Sequence, residues 1–269
     1  MTVAQSTSST PPELDSFPTP PTNLPYDDGE PLETPRHRAA MNLLIDSLDH
    51  HWVDRNDYFV GGNMFLYYSA AQVKNKDFRG PDFFAVLGVD RFMPRKYWAI
   101  WDEAGKYPDV IIELMSESTA AIDLQDKKHL YERTFKTPDY FVYDPYAPQS
   151  LQGWHLDQNQ QYQPLSPNPQ GWLWCQSLQL WVGTWEGIIN RESAPWLRFY
   201  DATGNLVLLA NEAAQQQVEA AQQQVEQAQQ QAEQAQQQAE QAQQQAEQER
   251  LRADQLAAKL RSLGIDPET

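Results

Sequence analysis

From about Asn211 onward the chain becomes a repeat of Gln, Ala and Glu, as in "QQQAEQAQQQAEQAQQQAEQ", which confines any sizeable core to the residues before it. Val or Ala returns every seven residues at Val218, Val225, Ala232, Ala239 and Ala246, and a second row runs through Ala221, Ala228, Ala235 and Ala242. Apolar residues at that interval form the seam of a heptad helix. Because Ala buries little area, each layer contributes weakly, and only Leu256, Leu260 and Leu263 offer stronger contacts. Two readings of 211–263 stay open. It forms a coiled coil with a second copy or a partner helix, or it stands alone as a solvated spacer.

The opposite end is also poor in core-forming residues. Residues 1–34 are rich in Pro, Ser and Thr and read as a disordered arm, unable to bury enough surface to offset their ordering entropy. The expected organisation is therefore an arm at 1–34, one folded domain at 35–210, the heptad helix at 211–263 and a short tail at 264–269. A lone Cys175 excludes a disulfide framework within the chain and any multi-cysteine zinc site, which fits a reducing, cytoplasmic setting. The first thirty residues lack the pattern of a signal peptide, and no apolar run is long enough to span a bilayer. The expectation is a protein with no membrane partner.

The net charge of −17 argues against a general nucleic-acid coat. Ten acids and four bases in 211–269 carry −6 of it, leaving −11 on residues 1–210. Between Val73 and Lys136, however, eleven acids are matched by eleven bases, with Lys74, Lys76, Arg79, Arg91, Arg95 and Lys96 flanking "GPDFFAVLGVD".

Within the domain, Met41, Leu44, Ile45, Leu48 and Trp52 recur at helical spacing. Strand-like stretches follow: "YFVGGNMFLYYSA", "PDFFAVLGV", "PDVIIELMS" and "PDYFVYDP". Between the last two, "STAAIDLQDKKHLYERTF" reads as a helix capped by Ser118 or Thr119 and ending near Lys136. The Trp- and Tyr-bearing runs of residues 151–187, broken by Gly, Pro and Asn, suggest hairpins whose aromatics cover the core edge. The order of elements is that of an α/β fold.

One strand carries the chemistry. Val110 to Met115 has the apolar character of a buried strand, yet Glu113 interrupts it, and a carboxylate taken out of water costs several kcal/mol unless something compensates it. Strand alternation puts Asp109, Ile111, Glu113 and Met115 on one face. If the strand that begins Pro81-Asp82 pairs with this one, Asp82 approaches Glu113. Two carboxylates held together repel unless a divalent cation lies between them, and an oxygen-rich site of this kind suits Mg²⁺, with Mn²⁺ as a substitute. Asp109 is then a second-shell or alternative ligand.

The helix supplies a second source of compensation. Asp123, Lys127 and Tyr131 share one stripe at intervals of four, so Lys127 can reach Glu113 or a substrate phosphate. Beside a metal, such a lysine could stabilise the charge that develops during phosphodiester hydrolysis. The same residues also admit a merely structural ion pair. Tyr131 is read as packing plus one hydrogen bond, His50 and His51 as surface or capping residues, and Cys175 as a small buried hydrophobe.

The segment from Tyr107 to Pro145 resembles the signature of the Uma-two restriction endonuclease family, a domain of unknown function within the PD-(D/E)XK nuclease superfamily. Pro108, Asp109, Glu113, Ser116, Ser118, Thr119, Asp123, Lys127, Tyr131, Tyr140, Asp144 and Pro145 follow its pattern in order. The resemblance implies a restriction-endonuclease-like core with a central mixed β-sheet flanked by helices, and Mg²⁺-dependent hydrolysis of DNA. It also implies that Asp82 and Glu113 bind the metal. The superfamily keeps a lysine two residues after the strand acid, where this chain has Met115, so the resemblance implies that Lys127 has taken its place. Glu117 also departs from the family's proline. The alternative function is a nuclease-fold interaction protein whose catalysis has lapsed and whose C-terminal helix oligomerises or recruits partners.

Overall fold

A computed structural model describes Leu24, residues 34–69 and residues 80–262. Most of the arm expected at 1–34, the bases Lys74, Lys76 and Arg79, Leu263 and the tail at 264–269 lie outside the described residues. The chain divides into two units, Met1–Leu209 and Ala210–Thr269.

The first unit opens with α1 (Pro35–His51), which begins where the sequence supplies both start signals. Thr34 accepts a hydrogen bond from the His37 amide, and Pro35 occupies a first-turn position where a missing N–H costs nothing. Next come β1 (Tyr58–Gly61), β2 (Leu66–Tyr67), β3 (Phe83–Leu87), β4 (Trp98–Ala99) and β5 (Val110–Leu114). A helical segment, α2 (residues 120–135), connects β5 to β6 (Asp139–Asp144). It is not a plain α-helix: wide π-helical turns at Asp123–Lys127 and Tyr131–Phe135 alternate with short α-helical ones. Lys136 closes it in the left-handed conformation, φ 56°. The chain continues through β7 (Ala147–Leu156), β8 (Tyr162–Pro164), β9 (Leu173–Cys175), β10 (Leu180–Ile189) and β11 (Glu192–Tyr200).

Six strands make a mixed sheet in the order β1-β3-β5-β6-β7-β8. Its only parallel pair among the described residues is β5 with β6, the pair that needs a helical crossover. The fold is thus mixed α/β with a central mixed sheet, as the sequence suggests. β9 to β11 form a separate antiparallel sheet, and β2 and β4 pair in parallel.

The side chains of β5 divide between two cores. Val110, Ile112 and Leu114 join α1 and the β9–β11 sheet on one face, while Ile111 and Met115 join Tyr131 and Phe135 of α2 on the other. Burial on both faces is why the central strands read as continuous apolar runs. A third cluster holds Leu24 against Phe65, Tyr67 and Ala99, so the segment read as a disordered arm has an anchored residue. Two of the bases near β3 are committed to the fold: Arg91 pairs with Asp49 at 2.9 Å, and buried Arg95 pairs with Glu103 at 2.6 Å.

The second unit is α3 (Ala210–Ser262), a continuous 53-residue helix with no buried side chain. Gln–Glu pairs four residues apart, such as Gln215 with Glu219 at 3.0 Å, brace its surface.

Candidate active site

The antiparallel pairing of β3 and β5 sets Phe83 opposite Ile112, which brings Asp82 beside Glu113. Two contacts lock them. The Leu114 amide donates to Asp82 Oδ2 at 2.8 Å, and the Asp82 amide donates to Glu113 Oε2 at 3.4 Å. Glu113 is fully buried and faces α2. There the Tyr131 hydroxyl donates to its Oε1 at 2.7 Å, and Lys127 Nζ lies 3.0 Å from its Oε2. The same ammonium lies 2.8 Å from Oδ1 of Asp123, itself only 1% exposed.

Lys127 therefore sits between two buried carboxylates, with a third, Asp82, contributing to its field. Burial opposes its charge, but attraction from Glu113 and Asp123 more than offsets this, and its pKa is raised. The carboxylates carry the opposite strain. Burial, then the charge of Glu113, pushes Asp82 well above the usual carboxylate range despite Lys127 and the Leu114 amide. Asp123 is raised by burial and Glu113, with Lys127 and the Thr119 hydroxyl pulling it down. Burial and the Glu113 charge raise the Tyr131 hydroxyl well above its ordinary value, so it stays a proton donor.

Of the residues expected from sequence, Asp82, Glu113, Lys127 and Tyr131 meet. Asp109, expected as an alternative ligand, does not join them. Because β3 and β5 run antiparallel, Asp109 lies at the other end of β5, where the Leu87 amide donates to its Oδ2 at 2.7 Å. That bond and the Ser177 hydroxyl on its carbonyl, at 3.4 Å, make it a structural tie. Asp123 joins the cluster as the second carboxylate on Lys127; its signals in the sequence are the four-residue spacing from Lys127 and its place in the family pattern. His37 is buried and approaches the carbonyl of Met115 at 3.1 Å through Nε2, anchoring the end of β5 to α1. No sequence signal set His37 apart.

Among the described residues no group of three or more His, Cys, Asp or Glu side chains is arranged to hold a metal ion. What exists is a two-carboxylate pair made of oxygen donors alone. With Lys127 counted against Asp82, Glu113 and Asp123, the ionised cluster keeps a charge of −2. These are hard oxygen donors of the kind a divalent cation takes, on a fully buried Glu113 and a half-buried Asp82.

The class the structure defines is a mixed α/β protein in which two strand carboxylates meet a helical lysine. The chain belongs to the Uma2 family, whose description reads "Putative restriction endonuclease" and whose profile matches residues 11–186. Among solved structures it is similar to "a putative nuclease belonging to DUF820 from Anabaena variabilis ATCC 29413", at 13% identity and a TM-score of 0.40 over 57% of this chain and 81% of that one. No curated protein matches it. No helix among the described residues is long and apolar enough to cross a membrane.

Proposed function

We propose that the protein is a divalent-metal-dependent endonuclease that hydrolyses DNA phosphodiester bonds, with Asp82 and Glu113 as metal ligands. The observation that carries this reading is the buried Lys127–Glu113 contact beside Asp82, in which a helical ammonium takes the place that Met115 leaves empty of charge. Membership of the Uma2 family supports it. Glu113 is engaged by the Asp82 amide, the Tyr131 hydroxyl and Lys127 and shares a side-chain hydrogen bond with Asp82, the contact that a cation between the two carboxylates would replace. A bound Mg²⁺ would act as a Lewis acid on a phosphate oxygen and lower the pKa of a bound water.

The chain's own groups do the rest. Burial and the Glu113 charge disfavour the ionised form of Asp82, and a divalent cation held by the two carboxylates would offset that cost. Lys127, with its raised pKa, stays protonated at neutral pH and so is no general base; it stabilises the negative charge that builds on the phosphoryl oxygens. Tyr131 fixes the rotamer of Glu113, and Asp123 holds Lys127 in place.

The test is plasmid cleavage by the full-length protein in Mg²⁺ or Mn²⁺, beside Glu113→Gln and Asp82→Asn variants checked for folding. Metal-dependent nicking that falls at least about 10²-fold in both variants is expected. Cleavage that survives Glu113→Gln would remove the site. A folded protein inert under every metal would favour the second reading, a lapsed nuclease-fold interaction protein. Met115 at the missing-lysine position and the pairing of Lys127 with two carboxylates support that alternative.

A further inference from the structure

We infer that α3 pairs with a second copy of this chain in the antiparallel sense. At 1.5 Å per residue its 53 residues span about 80 Å, and none of their side chains is buried within the chain. Its seam nevertheless carries apolar groups that a solitary spacer has no use for: Val218, Val225 and Leu256 are 56%, 58% and 64% exposed. Val218, Ala221 and Val225 lie along one exposed apolar stretch of the helix surface.

The order of sizes along the seam selects the orientation. Large residues stand at both ends, Val218 and Val225 at one and Leu256 and Leu260 at the other, with Ala between them. A reversed copy centred on Gln237 sets Val218 against Leu256, Ala221 against Ala253 and Ala235 against Ala239, preserving the seam throughout. It also lays Glu249, the one acid on the seam, along Val225. A parallel copy in register stacks Glu249 on Glu249 instead.

Charge gives an independent argument. From Ala210 to Gln236 the helix carries Glu212, Glu219, Glu226 and Glu233 and no base. From Glu249 to Ser262 four bases, Arg250, Arg252, Lys259 and Arg261, outnumber Glu249 and Asp254. Antiparallel association in this register sets the basic stretch 249–262 of one copy beside 212–225 of the other, which carries Glu212 and Glu219 and no base, and opposes the helix dipoles, whereas parallel association sets like beside like. The residues flanking the Ala layers are neutral Gln, so close approach meets no repulsion there.

Single-cysteine variants of the full-length chain read the orientation directly, since native Cys175 is buried. Val218→Cys and Leu256→Cys proteins, prepared separately and mixed in glutathione redox buffer, should give the Val218–Leu256 crossed disulfide in excess of either self-product by at least about tenfold, through effective concentration. Gln223→Cys, on the outward face, sets the collisional background. Self-disulfides of each variant dominating the mixture would show a parallel pair and overturn the inference. So would a monomer in sedimentation equilibrium with crosslinking no greater than background. The readout needs no nuclease activity, so it stands or falls apart from the proposed function.

Discussion

Asp82 is held against its preference. A carboxyl whose pKa is raised by folding destabilises the native state increasingly as pH climbs from the unfolded value, near 4, toward the folded one. Asp82→Asn removes that charge while leaving an oxygen for the Leu114 amide. The variant should therefore match the wild type near pH 4 and exceed it by about 1 kcal/mol or more at neutral pH without metal, measured by urea unfolding. Saturating Mg²⁺ should erase the gap by stabilising only the wild type. A neutral-pH variant less stable than wild type would mean that Asp82 is a net structural asset and not a waiting ligand. Lys127 answers the opposite logic: losing it strands Glu113 and Asp123 as buried, uncompensated charges, so Lys127→Met should cost about 3–5 kcal/mol in the same unfolding assay. A loss below about 1 kcal/mol would place the pair in effectively solvated surroundings.

The elements that present these side chains depend on ordinary local signals. Thr34 caps α1 and also accepts from the Tyr146 hydroxyl at 3.2 Å, so Thr34→Ala should cost about 1 kcal/mol, lowering Tm by roughly 3 °C in a domain of this size. An unchanged Tm in calorimetry would show that Pro35 alone starts the helix. Elements of this kind were legible in the sequence: helical spacing disclosed α1, and double-sided burial disclosed β3, β5 and β6. β11 was not, because Pro195 and the fully buried Arg198 interrupt its apolar pattern, and Arg198 donates to the Val207 carbonyl at 2.9 Å and lies over the Trp185 ring, partners that its own strand pattern does not announce. The π-helical turns of α2 were equally hidden, since Asp123, Lys127 and Tyr131 at intervals of four suit either winding. Within the site, strand alternation correctly paired Glu113 with the α2 face. It could not say which end of β5 meets Asp82, and so it left Asp109 on the wrong side of an antiparallel register.

At the scale of the whole molecule, the proposed function asks an acidic protein to meet a polyanion. The chain carries −17, and two bases that flank β3, Arg91 and Arg95, are tied to Asp49 and Glu103 instead of facing outward as a phosphate-binding surface. Proteins that bind DNA through six to ten lysine or arginine contacts lose about 10³- to 10⁵-fold in affinity between 50 and 200 mM salt, because each contact releases a counterion. On the proposed reading, the attraction would come from a metal held at short range, while the long-range field of the negative chain would repel and be screened beyond about 10 Å at 0.1 M salt. Added salt then weakens a repulsion as well as an attraction. The value of kcat/KM for plasmid cleavage, measured at fixed Mg²⁺ as KCl rises from 50 to 200 mM, should accordingly fall by less than about tenfold. A fall of about a thousandfold would require a cationic surface that counts for more than the carboxylate site, and would move the search for DNA contacts away from Asp82 and Glu113.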